Sequence, residues 1–272
     1  MKPIRAIVMA GNGTNCEMET AHACRLGGFD AVDIVPIYDV LAGDARFADY
    51  DLLALPGGFL DGDDLGSAKA AANTYTYGRA GAGGGRLADE IKRFIDDGKL
   101  ILGICNGFQL LVKLGLVPAL GGAYFTPQAT LTNNDRGRFV DRWITLGAEA
   151  KSPCVFTRGI SRIELPVRHG EGKFVAKDEA TERALAQAGQ VVFRYLDPAT
   201  GEPTEEFPAN PNGSRGGIAG VCDPTGRVMG LMPHPEAFTH RTNHPRWTRQ
   251  AMPEEGQGVA LFRNAAEYLR ER

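Results

Sequence analysis

The sequence predicts an α/β protein built on a doubly wound, mostly parallel open sheet flanked by helices, with additional antiparallel strands in its second half. Three observations predict it. Short apolar runs alternate with amphipathic segments through the first half of the chain. One run, Leu100-Ile101-Leu102-Gly103-Ile104, is apolar throughout, as a strand covered on both faces must be. Beyond residue 139 the apolar runs are separated instead by Pro, Gly and Asn turns, the pattern of hairpins.

The elements follow in order. A strand over residues 4–9 leads through the turn Gly11-Asn12-Gly13 into a helix over 16–26, stopped by Gly27-Gly28. A second strand lies near 31–36, and a third, 52–55, is closed by Pro56-Gly57-Gly58. Residues 61–85 are rich in Gly and Ala and end in Gly81-Ala82-Gly83-Gly84-Gly85. They read as a long surface loop, open equally to being a plain insertion and to contacting a partner. A helix over 87–96 precedes the strand 100–104, and an amphipathic helix follows Cys105 with Phe108, Leu111 and Leu114 on one face. Strands over 139–146, 162–167 and 191–195 come next, then a hairpin of 218–221 and 228–232 around Asp223-Pro224-Thr225-Gly226. A helix over 259–270 is last. No internal repeat, coiled coil or linker interrupts this order, so residues 1–272 read as a single domain with an insertion at 61–85.

Composition narrows the function. The 272 residues are 43% hydrophobic and 23% charged, with a formal net charge of −3 and a pI near 6.0. Binding to a phosphate backbone needs a basic footprint, which is missing, so nucleic acid is not an expected partner. No apolar run approaches the ~20 residues of a membrane span, and the start of the chain lacks a secretory pattern. The expectation is a soluble, cytoplasmic protein. Its five cysteines, Cys16, Cys24, Cys105, Cys154 and Cys222, include no Cys-x-x-Cys pair, which argues against a disulfide framework or a zinc knuckle.

One cysteine stands apart. Gly103-Ile104-Cys105-Asn106-Gly107 is the thiol counterpart of the Gly-x-Ser-x-Gly elbow, which holds a nucleophile on a strained strand-to-helix turn. A generic cysteine is a small buried hydrophobe. The flanking glycines at this junction favour a nucleophile instead. A helix N-terminus presents partial positive charge and free N–H groups, both of which favour the attacking thiolate. The backbone N–H of Asn106 would then face the oxyanion of a substrate carbonyl.

A nucleophilic thiol needs a base. His22 sits on the first helix and reads as a surface residue. His240 and His244 stand four apart but lack the glutamate of a zinc helix, and Pro245 interrupts the helix, so no metal is expected there. His234 follows an apolar strand in Pro233-His234-Pro235-Glu236. In an extended chain residues two apart share a face, so Glu236 can orient the His234 ring. The other reading is a solvated strand-end histidine. Pro56-Gly57-Gly58 at another strand end offers Gly58 N–H as a second oxyanion donor, although Pro-Gly-Gly alone is a common turn.

Together these motifs resemble the class I, or triad, glutamine amidotransferases: Gly103-Ile104-Cys105-Asn106-Gly107-Phe108-Gln109, Pro233-His234-Pro235-Glu236 and Pro56-Gly57-Gly58-Phe59. Within that class, Gly11-Asn12-Gly13-Thr14-Asn15-Cys16-Glu17, Arg136-Gly137-Arg138-Phe139-Val140 and Arg168-His169-Gly170-Glu171-Gly172 are similar to the glutaminase subunits of phosphoribosylformylglycinamidine synthases. The resemblance implies hydrolysis of glutamine to glutamate and ammonia through a cysteinyl thioester. It assigns Cys105, His234 and Glu236 to catalysis and the N–H groups of Gly58 and Asn106 to the oxyanion hole. It also implies a larger synthetase subunit that uses the ammonia, and a small third subunit. This chain would carry no cofactor; ATP and magnesium would sit on the synthetase, in keeping with the lack of a Gly-x-x-x-x-Gly-Lys-Ser/Thr loop here. Gln109 reads equally as a substrate contact and as a buried structural amide. His169 and Glu171 read as solvated turn charges or a subunit contact. Against that family, residues 61–85 and 240–252 are departures. Two competing readings remain open: another amidotransferase or cysteine hydrolase, and a regulatory module with a disused triad.

Overall fold

The computed structural model describes residues 3–81 and 83–272. Its centre is a nine-stranded sheet of β1 (Arg5–Ala10), β2 (Ala31–Pro36), β3 (Leu52–Leu55), β4 (Leu100–Ile104), β6 (Val140–Ala148), β7 (Arg162–His169), β9 (Val191–Leu196), β10 (Ile218–Cys222) and β11 (Val228–Leu231). The strand order is β2-β1-β3-β4-β11-β10-β9-β6-β7. Pairings from β2 across to β11 are parallel, and those from β11 to β7 antiparallel. The expected parallel strands with antiparallel strands added in the second half of the chain are observed, and β11, from that second half, joins the parallel part beside β4. A separate two-stranded ribbon pairs β5 (Ala129–Thr132) with β8 (Lys173–Ala176).

The parallel half is doubly wound. From β1 the chain runs through α1 (Glu17–Gly27) outward to β2. It then returns past β1 by α2 (Ile37–Ala42) to β3, and by α3 (Lys69–Tyr77) and α4 (Leu87–Asp96) to β4. Right-handed crossovers in opposite directions put these helices on opposite faces. Accordingly α1 packs against α7 (Val259–Arg270), while α3 packs against α4 and α5 (Asn106–Lys113). Every residue of β3 and β4 is buried, as a strand covered on both faces requires. In α4 the buried residues Leu87, Ile91, Phe94 and Ile95 recur at helical spacing and form its inner face. The remaining helix, α6 (Glu179–Gln187), starts at Asp178, whose Oδ1 accepts the Thr181 N–H at 2.7 Å.

Residues 61–85 correct the sequence reading. They are not a surface loop: α3 lies within them, and Ala68, Ala71, Ala72 and Tyr75 are part of the hydrophobic core. The run Ala70-Ala71-Ala72 has high helix propensity, but the surrounding glycines obscured it. Of the glycine-rich end, Ala82 lies outside the described residues. The short elements α2, β5, β8 and α6 also escaped the sequence reading. No helix among the described residues is long and apolar enough to cross a membrane.

Candidate active site

Three neighbouring strands, β3, β4 and β11, run parallel and end at the same edge of the sheet. In open α/β sheets that carboxyl edge is where ligands bind. The residues that follow are Gly57-Gly58 after β3, Cys105 after β4 and His234 after β11. A cavity of about 650 Å³ opens there, with Cys16, Gly58, Cys105, Gln109, His169 and His234 in its wall.

Cys105 caps the start of α5 with φ 52° and ψ −105°. Such a conformation costs a non-glycine residue roughly 1–3 kcal/mol and persists only when its surroundings impose it. Here Cys105 N–H donates to the Leu231 carbonyl at 2.8 Å and Gln109 N–H donates back to the Cys105 carbonyl at 3.0 Å. The elbow glycines remove all slack. A β-carbon on Gly103 would lie 2.6 Å from the Gly107 carbonyl oxygen, and one on Gly107 would strike the Leu55 carbonyl. The Cys105 thiol donates to the Arg168 carbonyl at 3.7 Å, because the end of β7 folds back over the site.

His234 is anchored from the same side: its N–H donates to the Pro166 carbonyl of β7 at 2.8 Å. Its Nδ1 lies 2.6 Å from Glu236 Oε1, with both residues buried. The expected pairing forms, but by a different route. The chain is not extended here; Pro235–Ala237 is a 3₁₀ turn, and this turn swings Glu236 beside the ring. Burial alone would push the imidazole pKa down. The charge of Glu236, then the nearby thiols of Cys105 and Cys16, together outweigh it and hold the pKa well above the usual histidine value. Its Nε2 has no aligned hydrogen-bond partner among the described residues.

The N–H of Asn106, first residue of α5, has no acceptor within its own helix. Gly58 forms an isolated bridge with Thr14, but the hydrogen bonds run between neighbours: Phe59 N–H to Gly13 at 2.8 Å and Asn15 N–H to Gly57 at 3.3 Å. The Gly58 N–H is outside that ladder, at the cavity wall. Side chains lock this corner. Asn106 Oδ1 accepts the Leu60 N–H at 3.0 Å, and its Nδ2 donates to Gln109 Oε1 at 2.9 Å. The Gln109 amide also donates to the Glu171 carbonyl. Both ends of that amide are satisfied by the protein, which favours the structural reading of Gln109 over the substrate contact.

Two more residues differ from their sequence reading. His169 is not a solvated turn charge. It is 3% exposed, its Nδ1 is 3.1 Å from Asn134 Oδ1, and its ring packs on Gly172. Burial, and then the charge on His234, push its pKa down to about 3. Glu171 lines the cavity and accepts the Ser67 N–H at 3.3 Å, tying residues 61–85 to the site. Arg138 and Arg168 stand in the same wall as Glu19, Asp63 and Glu171, a charge distribution suited to a zwitterionic ligand. Elsewhere, His22 is exposed, and His244 is buried against Glu164 (3.0 Å) and the Trp143 ring. Sequence reasoning missed Cys16, whose sulfur lies within 4.8 Å of the His234 and Glu236 ligand atoms. Its one signal, the Gly-Thr-Asn-Cys-Glu run, gives no hint of a partner so distant in sequence.

A thiol on a strained elbow, an imidazole paired with a buried carboxylate, and free N–H groups around one cavity are the parts of an acyl-transfer site. A family model for the CobB/CobQ-like glutamine amidotransferase domain matches residues 3–269. The chain belongs to that family. This amidotransferase is 41% identical to the phosphoribosylformylglycinamidine synthase subunit PurQ of Dehalococcoides mccartyi, with all of both chains covered. To the subunit of the same name from Methanococcus maripaludis it is 42% identical, over 97% of this chain and 98% of the other. Among solved structures, a chain of PurLQS from Thermotoga maritima matches with a TM-score of 0.71 at 30% identity, covering 98% of the amidotransferase and 100% of that chain. A glutamine amidotransferase from the same organism shares the fold at 17% identity and a TM-score of 0.55.

Proposed function

We propose that this chain is the glutaminase subunit of a phosphoribosylformylglycinamidine synthase. It releases ammonia from glutamine for a larger synthetase subunit, which makes formylglycinamidine ribonucleotide in purine biosynthesis, and a small third subunit completes the complex. The observation that carries the reading is the thiol of Cys105 on its strained elbow beside the His234–Glu236 pair, in a chain similar to PurQ subunits along its whole length.

In the proposed mechanism Cys105 attacks the γ-carboxamide carbon of glutamine. The oxyanion is held by the N–H groups of Gly58 and Asn106. His234, its tautomer fixed by Glu236, takes the thiol proton and gives it to the departing ammonia. A water activated by His234 then cleaves the thioester and frees glutamate. The arginines and carboxylates of the cavity wall are suited to the two α-charges of the substrate. The reading places ATP and magnesium on the synthetase, assigns no cofactor to this chain, and puts the complex in the cytoplasm.

The test is ammonia release from glutamine by the purified chain, alone and with its synthetase, ATP and formylglycinamide ribonucleotide. Cys105→Ala abolishes release while its melting temperature stays near that of the wild type. Turnover by that variant would remove Cys105 as nucleophile. Ammonia release without ribonucleotide conversion in the complete mixture would point to a different amidotransferase.

A further inference from the structure

Cys16 has no part in the mechanism above, yet it sits at the base. We propose that Cys16, His234 and Glu236 form a binding site for a soft divalent cation of the zinc class, open to the cavity, and that its occupancy blocks the base.

Three observations carry this. First, the Cys16 sulfur, a His234 ring nitrogen and a Glu236 carboxylate oxygen all lie within 4.8 Å of one another, and all three residues are buried. Second, Glu236 Oε2 is buried without a hydrogen bond among the described residues, so the carboxylate has an oxygen to offer besides the one paired with His234. Third, the side chains converge because residue 57 is glycine. A β-carbon there would lie 2.9 Å from His234 Cε1, 3.4 Å from Cys16 Sγ and 3.5 Å from Cys105 Cβ.

The donor set selects the ion. A thiolate, an imidazole and a carboxylate suit zinc or cadmium, whereas magnesium and calcium prefer all-oxygen shells. Zinc bonds of about 2.0–2.3 Å in a tetrahedron place neighbouring ligand atoms roughly 3.5 Å apart. Since the ligand atoms already lie within 4.8 Å of one another, none has to close by more than about 1.3 Å to reach that spacing. Three protein ligands leave a fourth position, and Cys16 and His234 both line the cavity that Cys105 also lines. With the imidazole bound to the cation, it cannot carry the proton between thiol and ammonia.

Binding does not depend on the proposed function; only the inhibition does, so the experiment reads both. Zinc is titrated into the full chain against a chromophoric chelator, and cadmium is followed by its thiolate charge-transfer band. The wild type and Cys105→Ser each take up one equivalent. Cys16→Ser keeps the fold, since serine is a good helix N-cap, and its zinc inhibition is read against its own turnover in chelator. It loses at least about tenfold in zinc affinity, the scale seen even for an outer-shell partner, and loses the cadmium band. Zinc stops ammonia release by the wild type at concentrations that Cys16→Ser tolerates. Equal affinity in Cys16→Ser and wild type, or loss of binding in Cys105→Ser alone, would overturn the site. Cys16-dependent binding in a chain that never turns over glutamine would uphold the site and overturn the proposed function instead.

Discussion

Gly107 packs so tightly under Leu55 that any β-carbon on it would collide with the Leu55 carbonyl oxygen. The contact joins the helix behind Cys105 to the strand that leads to Gly57-Gly58, so the thiol and the proposed oxyanion donors are fixed by one piece of packing. Gly107→Ala must push α5 away from β3. Overpacking of this kind costs about 1–3 kcal/mol. The expected result is a melting temperature lower by several degrees, with kcat reduced more than KM. An unchanged kcat would show that the elbow tolerates movement.

Glu236→Gln keeps the shape of the turn but removes the largest of the contributions that together outweigh burial of His234. Loss of the orienting carboxylate from a comparable serine triad lowers kcat by about 10⁴, and a loss of at least 10² is expected here. The stability effect has a definite sign. A histidine whose folded pKa is raised contributes stability that is fully present below its ordinary pKa of 6.5 and disappears as pH rises through the folded value. The wild type should therefore out-melt Glu236→Gln most clearly below that pH, and the gap should narrow in alkali. A gap that widens with pH would contradict the ion pair.

His169 has the opposite sign. Its folded pKa of about 3 lies below the ordinary 6.5, so the unfolded chain binds an extra proton between those values. The wild type loses stability as pH falls through that window. His169→Gln should melt at a temperature less dependent on pH over the same range. Equal acid sensitivity in both proteins would show that His169 is not held neutral.

Tyr75→Ala tests residues 61–85 as structure rather than loop. Tyr75 is 2% exposed in α3. Truncating a large buried aromatic costs about 3–5 kcal/mol, visible as a lower midpoint in denaturant. A surface loop residue would change stability by less than about 0.5 kcal/mol.

Much of this was legible in the residues. The all-apolar run before Cys105, the two elbow glycines and the Pro-His-Pro-Glu sequence announce themselves locally, because strand burial, steric closeness and turn geometry act over a few neighbours. Less legible was α3, where Gly-rich flanks hid a helix whose stability comes from packing on α4 and α5. His169 was misread for a similar reason: its ring is held by Asn134, 35 residues away, a partner which no local pattern announces.

The sequence by itself determined the α/β class, the thiol at a strand-to-helix bend and the histidine with its carboxylate two residues on. Only the tertiary structure decided that β4 and β11 lie side by side, that β7 folds back to hold His234 by its backbone, and that Cys16 reaches the same imidazole. The reason is physical. A side chain's immediate backbone is set by neighbours in the chain, but its company in a site is set by strand order and crossover direction, which depend on how the whole sheet closes its core.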